Sequence, residues 1–329
     1  MSDATPQQLN QAGVKAPGGH SRLADYAPTY GAAAALVLLI IVNAILTPNF
    51  VDANNLRNIL LQVAPTVLVA VGMTLVIATG GIDLSVGSVM AIASALAAVA
   101  LGRGWNVGAA VLLTLVVAIG VGAFNGVLIS RFRIQPIIVT LALLISGRGV
   151  AQVINGGQLI QFDNPTFETL GRGFVGPVPV QVLVMLLVVA AAIFVVRATT
   201  FGRYVAAVGG NEAAARLAGV KVHQTKLAVY ALSGLLAGLA GLIETSRLGV
   251  SDAPNIGLNI ELDAIAATVV GGTPLTGGRA TIIGTLIGAL IMQIITTSFN
   301  MNQIKFSWGL VIKAAIILVA VYIQRPKVA

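Results

Sequence analysis

The chain has 329 residues, 57% of them hydrophobic and 9% charged, with a net charge of +8, 37 glycines, two histidines and no cysteine. Soluble domains carry roughly a quarter charged residues, so this chain lacks the polar surface to face water and must use lipid as its main solvent. The absent cysteines exclude disulfides, thiolate chemistry and Cys-based metal sites, and cations scattered through short loops instead of one stripe exclude a nucleic-acid surface.

Residues 1–28, rich in Gln, Pro, Gly and Ala, have no cationic stretch running into a short apolar core. They read as a disordered cytoplasmic tail, not a cleavable signal peptide, ahead of one transmembrane domain over 29–329. A hydrocarbon core about 30 Å thick takes roughly 20 apolar residues per crossing. Runs of that kind predict ten helices near 30–48, 60–79, 84–102, 107–130, 136–155, 178–196, 226–246, 260–272, 280–298 and 306–323, an all-α polytopic membrane fold. The eighth is short and runs into Gly271-Gly272-Thr273-Pro274, so a broken or partly re-entrant helix is expected there. Five-plus-five helices permit an inverted structural repeat, although no tandem repeat shows in residue identities. Gly122/Gly126, Gly234/Gly238 and Gly284/Gly288 have the spacing that puts small residues on one helix face for close packing in lipid; chance in a Gly-rich chain is the other reading.

Orientation follows from the cations. With the N-terminus in the cytoplasm, twelve of the 19 Lys and Arg fall on the inner side and five, Arg57, Arg103, Arg172, Arg247 and Lys305, on the outer. The positive-inside rule therefore places both termini in the cytoplasm. Two loops are longer than the rest, about 156–177 outside and about 197–225 inside.

The inner loop holds a short helix between Gly202 and Gly219. Asn211 suits its N-cap, Glu212 its positive end, Glu212 and Arg216 pair four apart, and Gly219 suits the left-handed position past its C-terminus. Such a helix either docks on a cytoplasmic partner or merely lies on the bilayer joining two spans. No Gly-x-x-x-x-Gly-Lys-Ser/Thr stretch occurs, so phosphates are not cradled by that route and an ATPase would be another chain. No catalytic residue set and no metal cluster is visible.

Polar residues inside the spans are the candidates for a substrate path or gate. Asp83 and Ser85 follow a Gly-Gly turn placed at the cytoplasmic side, where they either cap the next helix or line an inner gate. Arg148, Gln152 and Asn155 share one face of the fifth span, facing hydroxyl-bearing cargo or, for Arg148, forming an interhelical ion pair or snorkelling. Gln293 and Lys313 are weaker cavity candidates, and Glu244 with Arg247 reads as a local ion pair. Aromatic residues make up only 5% of the chain, with Trp105 and Trp308 its two tryptophans. Faces on which a cyclic cargo could stack are therefore few, so a low-affinity passage is expected here.

Three stretches carry a resemblance: Gly72-Met73-Thr74-Leu75-Val76-Ile77-Ala78-Thr79-Gly80-Gly81-Ile82-Asp83-Leu84-Ser85-Val86-Gly87, the loop Gly202 to Gly219, and Val270-Gly271-Gly272-Thr273-Pro274-Leu275-Thr276-Gly277-Gly278-Arg279. With Gly147-Arg148-Gly149 and Leu262-Asp263-Ala264-Ile265-Ala266, the match spans about residues 60–325. The chain resembles the permease subunits of bacterial ABC monosaccharide importers of the ribose, arabinose, xylose and galactofuranose type. Ala64-Pro65, Gly147 to Gln152 and Leu262 to Ile265 look nearest the galactofuranose type.

That resemblance implies a type II-like fold and a pair of permease copies, identical or paralogous, fed by a periplasmic sugar-binding protein. It implies two cytoplasmic ATPase subunits holding ATP and Mg, no cofactor on this chain, and ATPase coupling through Gly202, Arg203, Gly210, Asn211, Glu212, Ala213, Ala214, Arg216 and Gly219. The rival reading is an ion-coupled secondary sugar transporter, which Asp83 and Arg148 keep open.

Overall fold

In the computed structural model of the chain, residues 22–324 are described. The first half runs α1 (Arg22–Leu46), α2 (Ala53–Ala78), α3 (Val86–Gly102), α4 (Val107–Ser130) and α5 (Pro136–Ile154). A connecting region holds β1 (Ile160–Gln161), α6 (Pro165–Arg172), β2 (Phe174–Val175) and β3 (Val178–Pro179). The second half is α7 (Val180–Ala198), α8 (Thr200–Gly210), α9 (Glu212–Leu217), α10 (Val222–Leu248), β4 (Val250–Ser251), α11 (Ile260–Val270), α12 (Ile282–Met301) and α13 (Phe306–Gln324).

Each of the ten apolar runs is a helix, and α6, α8 and α9 lie in the two long loops. Among the described residues seven helices are long and apolar enough to cross a membrane: α1, α2, α4, α5, α7, α10 and α12. α1 begins at Arg22, so the end of the stretch read as a tail is helical. Residues 1–21 of that stretch lie outside the described residues.

The pairing of helices repeats between the halves. α4 lies along α10 as α12 lies along α2, and α3 lies along α10 as α11 lies along α2. α5 packs on α3 as α13 packs on α11, and α3 sits beside α4 as α11 sits beside α12. Exchanging α2–α5 with α10–α13 thus maps these contacts onto each other, with α2 and α10 paired at the centre, the pattern an internal repeat of the kind transporters use would give.

Small residues set the spacing of these pairs, because lipid supplies no hydrophobic drive between helices. Gly122 faces Gly234 across the α4–α10 contact, Gly126 faces Leu227, and Gly238 faces Ala118. Gly284 and Gly288 meet the backbone of Gly271 and Ala267 on α11. All three spaced glycine pairs therefore lie in helix contacts. Hydroxyls add to the seams: Thr74 on α2 lies 2.7 Å from Thr285 on α12 and 3.4 Å from Thr268 on α11.

The loop between α5 and α7 folds over one end of the bundle. Asn164 caps α6 by accepting from the amide of Phe167, and the amide of Gly171 donates to Ser246 at the end of α10. β1 and β4 pair antiparallel, Ile160 opposite Ser251, and β2 and β3 form a hairpin around Gly176. The expected Glu244–Arg247 pair is present at 4.0 Å in the last turns of α10.

On the opposite flank Lys313 of α13 reaches both carboxylate oxygens of Asp263 on α11, at 2.9 and 3.1 Å. Asp263→Asn would leave this ammonium unpaired. We expect a loss of roughly 1–3 kcal/mol, discounted from fully buried pairs because a third of Asp263 is exposed (33%). Thermal unfolding in detergent should show the loss, and adding Lys313→Met should recover most of it.

Candidate functional site

Two helices start in the middle of the bundle instead of at its surface. α10 is 27 residues long, about 40 Å at 1.5 Å per residue. Its Ser233, roughly midway, donates to Asp83 at 2.8 Å, just before α3 begins. The chain therefore turns back after Ala78, climbs through Gly80–Ser85, and starts α3 deep inside the protein. α11 mirrors this from the other end: its Thr268 lies against Ala70 and Thr74 of α2, and eight residues earlier it begins near the level of α2's midpoint. The first turn of α3, at Gly87, abuts Gly257 and Glu261 at the start of α11. Two half-helices thus meet N-terminus to N-terminus, each fed by an irregular segment.

Irregular backbone at this depth needs partners, since lipid offers none. On the α3 side Asp83 supplies them: its Oδ1 accepts from the amide and hydroxyl of Ser85 at 3.0 and 2.6 Å, and its Oδ2 from Ser233. Asn125 of α4 donates to Ser85 at 2.9 Å, and all four side chains are buried. The turn lies buried inside the bundle, and its carboxylate ties α3 to α10 and α4.

On the α11 side the partner is Arg148. Its guanidinium donates to the carbonyls of Ala253 at 3.0 Å, Ile256, and Gly257 at 3.4 Å. The fork of guanidinium N–H groups suits several acceptors at once. Glu261, in the first turn of α11, is buried and leaves Oε2 without a hydrogen bond.

The other path candidates divide. Asn155 is buried at the end of α5; its Oδ1 accepts from Gly157 and its Nδ2 has no partner. Gln152 is half-buried and makes no side-chain hydrogen bond. Gln293 donates to Gln62 at 3.0 Å and Thr297 at 3.2 Å, fastening α12 to α2.

The segment read as one short helix, 202–219, is two. α8 contains Gly202, Arg203 and Gly210, and α9 contains Glu212, Ala213, Ala214 and Arg216. Asn211 joins them, its Oδ1 accepting from the amide of Ala214 at 2.9 Å. Gly219 takes φ +81° past the end of α9. Glu212 pairs with Arg216 at 3.0 Å and with Lys226 of α10 at 2.6 Å. Leu217 stands 90% exposed.

The three sequence stretches that carry the resemblance converge here. The amide of Gly278 donates to the carbonyl of Ala78 at 2.9 Å, closing the α11–α12 turn onto the end of α2. Gly209 of α8 lies in the same junction, where a Cβ would collide with the Ala78 carbonyl and crowd the Gly278 amide. Gly277, at φ +85°, packs on Gly80 and Gly209. One backbone junction thus links α8 to α2, the entry of α3 and the exit of α11.

The family model described as branched-chain amino acid transport system / permease component matches residues 55–321, which take in both half-helices and this junction. The chain belongs to this permease family. The ribose import permease protein RbsC of Escherichia coli (strain K12) is 43% identical to this permease over 297 residues, 89% of this chain and 92% of that protein. RbsC of Bacillus subtilis (strain 168) is 42% identical over 296 residues, again 89% and 92%. The galactofuranose transporter permease protein YtfT of Escherichia coli (strain K12) is 39% identical over 301 residues, 89% and 88%. These identities do not single out the galactofuranose type. No solved structure matches the chain.

Reading the sequence missed several residues of the permease that this geometry brings in. Gly209, Gly277 and Gly278 are invisible as contacts until the fold joins them, and Ser233 and Asn125 are ordinary polar residues on long helices. Glu261 carried a signal, an acid in the first turn of a helix.

Lys226, chiefly through its hydrogen bond, holds the Glu212 carboxyl below its ordinary range, with Arg216 adding to the effect. A depressed carboxylate contributes stability above its unfolded pKa and loses it as pH falls through the folded one. Amides of residues 212–218 should therefore be protected from exchange at neutral pH and lose protection only below the ordinary carboxylate range. Glu212→Gln should lack that extra protection at either pH.

Proposed function

We propose that the chain is the transmembrane subunit of an ATP-driven importer moving a monosaccharide, pentose or hexose, from periplasm to cytoplasm. The observation that carries this reading is the extent of its likeness to proteins named as ribose, galactofuranose and xylose permeases. The xylose transport system permease protein XylH of Escherichia coli (strain K12) aligns over 98% of both chains at 32% identity. In this reading two copies pair in the inner membrane above two ATPase subunits that hold ATP and Mg. A periplasmic sugar-binding protein delivers cargo.

The excess of cations on the α9 side supports a cytoplasmic position for that end. There α9 is the docking element and Leu217 its apolar anchor, because a side chain 90% exposed on a capped helix has no role inside the fold. Force on α9 passes through α8 to the Gly209–Gly278–Ala78 junction and from there to both half-helices. Of the path candidates, Gln152 and Asn155 keep amide groups free for sugar hydroxyls. Asp83, Ser85, Arg148 and Gln293 hold the gate's framework, which weakens the case for ion coupling through Asp83 or Arg148.

Proline at position 212 would be a poor test, since Glu212 occupies the first helical position, where proline is tolerated. Leu217→Asp separates docking from folding. With the ATPase and binding protein co-expressed, the variant should keep its thermal stability, lose co-purification of the ATPase and lose sugar uptake. Unchanged co-purification would remove α9 from the contact. Uptake that survives an inactive ATPase but collapses with the proton gradient would select the secondary transporter instead.

A further inference from the structure

A cationic cavity of about 350 Å³ opens at the α9 end between α4 and α10, lined by Ser130, Arg131, Arg133, Arg216, Lys221 and His223. Arg216 is paired with Glu212. Arg131, Arg133 and Lys221 have no carboxylate within 4.0 Å among the described residues. The imidazole of His223 is held by Ser130 at 2.6 Å, which fixes it at the cavity wall. Three unpaired cations converging on one cavity at the edge of a membrane-spanning bundle call for an anion.

The surroundings choose among anions. Phe132, between Arg131 and Arg133, is 65% exposed, and Ile134 beside them 38%. The same helix pair also lines a second, wholly apolar cavity of about 390 Å³, with Ile119 on α4, Leu232 and Leu235 on α10 and Phe201 from α8. At 1.5 Å per residue, Ile119 lies about 16 Å further along α4 than Ser130. Cations first and apolar walls deeper along one helix pair is the order of a phospholipid, headgroup then acyl chain. A soluble phosphate would use the first cavity and leave the second without purpose.

We propose that these cavities form a binding site for an anionic phospholipid, with Arg131, Arg133 and Lys221 on its phosphate and the α4–α10 groove on an acyl chain. The leaflet, the inner one, rests on the orientation proposed above; the site itself does not. Because α9 contributes Arg216 to the cavity wall, an occupied site would also brace the docking helix.

Native mass spectrometry of the full chain in a zwitterionic detergent, titrated with dioleoylphosphatidylglycerol or dioleoylphosphatidylcholine, tests this. The wild type should retain one phosphatidylglycerol in preference to phosphatidylcholine. Arg131→Gln/Arg133→Gln/Lys221→Gln should weaken that retention by roughly 100-fold. Arg131→Lys/Arg133→Lys should keep it, as should Arg57→Gln/Arg103→Gln at the opposite end, and these variants guard against misfolding of the triple. Equal retention of the two lipids, or unchanged retention in the triple variant, would overturn the proposal. So would displacement by millimolar inorganic phosphate with no lipid preference, which would assign the cavity to a soluble anion. Loss of ATPase co-purification in the triple variant with lipid retention intact would give the cavity to a protein contact and overturn it as well.

Discussion

Arg148→Met should destabilise the permease by about 3–5 kcal/mol and cut sugar uptake at least tenfold, by the combined loss of charge-assisted hydrogen bonds and desolvation of stranded acceptors. The reason lies in the segment 252–259, a run of turns instead of a continuous helix before α11 begins at Ile260. Ala253, Ile256 and Gly257 direct carbonyls at one guanidinium. Methionine fills a similar volume but donates nothing, so those oxygens would face an apolar neighbourhood with no water to replace the donor. The Glu261 carboxylate, which interacts electrostatically with Arg148, would also lose that attraction.

Arg148→Lys should fall between, since an ammonium reaches one or two of the carbonyls but lacks the fork. The two readings of Arg148 separate here. A cargo-binding arginine would change the apparent affinity for sugar and leave thermal unfolding in detergent alone. A segment-holding arginine moves the unfolding temperature first, in proportion across Lys and Met. A Met variant as stable as wild type would sink the structural role.

Gly209→Val should abolish sugar transport while the ATPase still co-purifies, and Gly210→Ala, one residue on, should be close to neutral. At Gly209 an added Cβ meets the carbonyl of Ala78 and the amide of Gly278, both backbone, so no side chain can swing aside. The junction must open. Overpacking of this kind costs about 1–3 kcal/mol, and the cost falls on the contact that joins α8 to the half-helices. At Gly210 the same atom meets nothing within 4 Å. Purified complex carrying Gly209→Val should hydrolyse ATP without moving sugar, measured as ATPase activity and uptake in the same proteoliposomes. Coupled uptake at the wild-type ratio would show that force takes another route.

Much of the fold was legible because lipid imposes a simple code. The ten apolar runs are ten helices with most ends within a few residues of the readings, though α1 and α2 begin seven or eight residues earlier, at Arg22 and Ala53. What the runs did not show is depth: α3 and α11 start inside the bundle, and hydropathy counts length and apolarity only. The break near the eighth run was expected at Gly271-Gly272, and α11 does end at Val270, ahead of the irregular residues 271–281; the structure adds a second irregular stretch before the helix, at 252–259, where nothing in its composition separates a surface loop from a buried one.

The candidate site was legible in pieces. Asn211, Glu212, Arg216 and Gly219 declare the ends of α9 because capping is local chemistry, confined to four or five residues. Asp83 and Arg148 were conspicuous as charges inside apolar runs, yet their partners Ser233, Ala253 and Ile256 lie more than a hundred residues away. The sequence left open whether those charges face cargo or framework, since that depends on what stands opposite.

By itself, then, the sequence determined the solvent, the helices and the absence of a phosphate loop, all of which follow from local composition. Only the tertiary structure decided that two of those helices begin at the centre, that Arg148 holds the backbone of one, and that three glycine-rich stretches form one junction. Close backbone contact is a property of pairs of segments, and glycine shows where such contact is allowed without naming its partner.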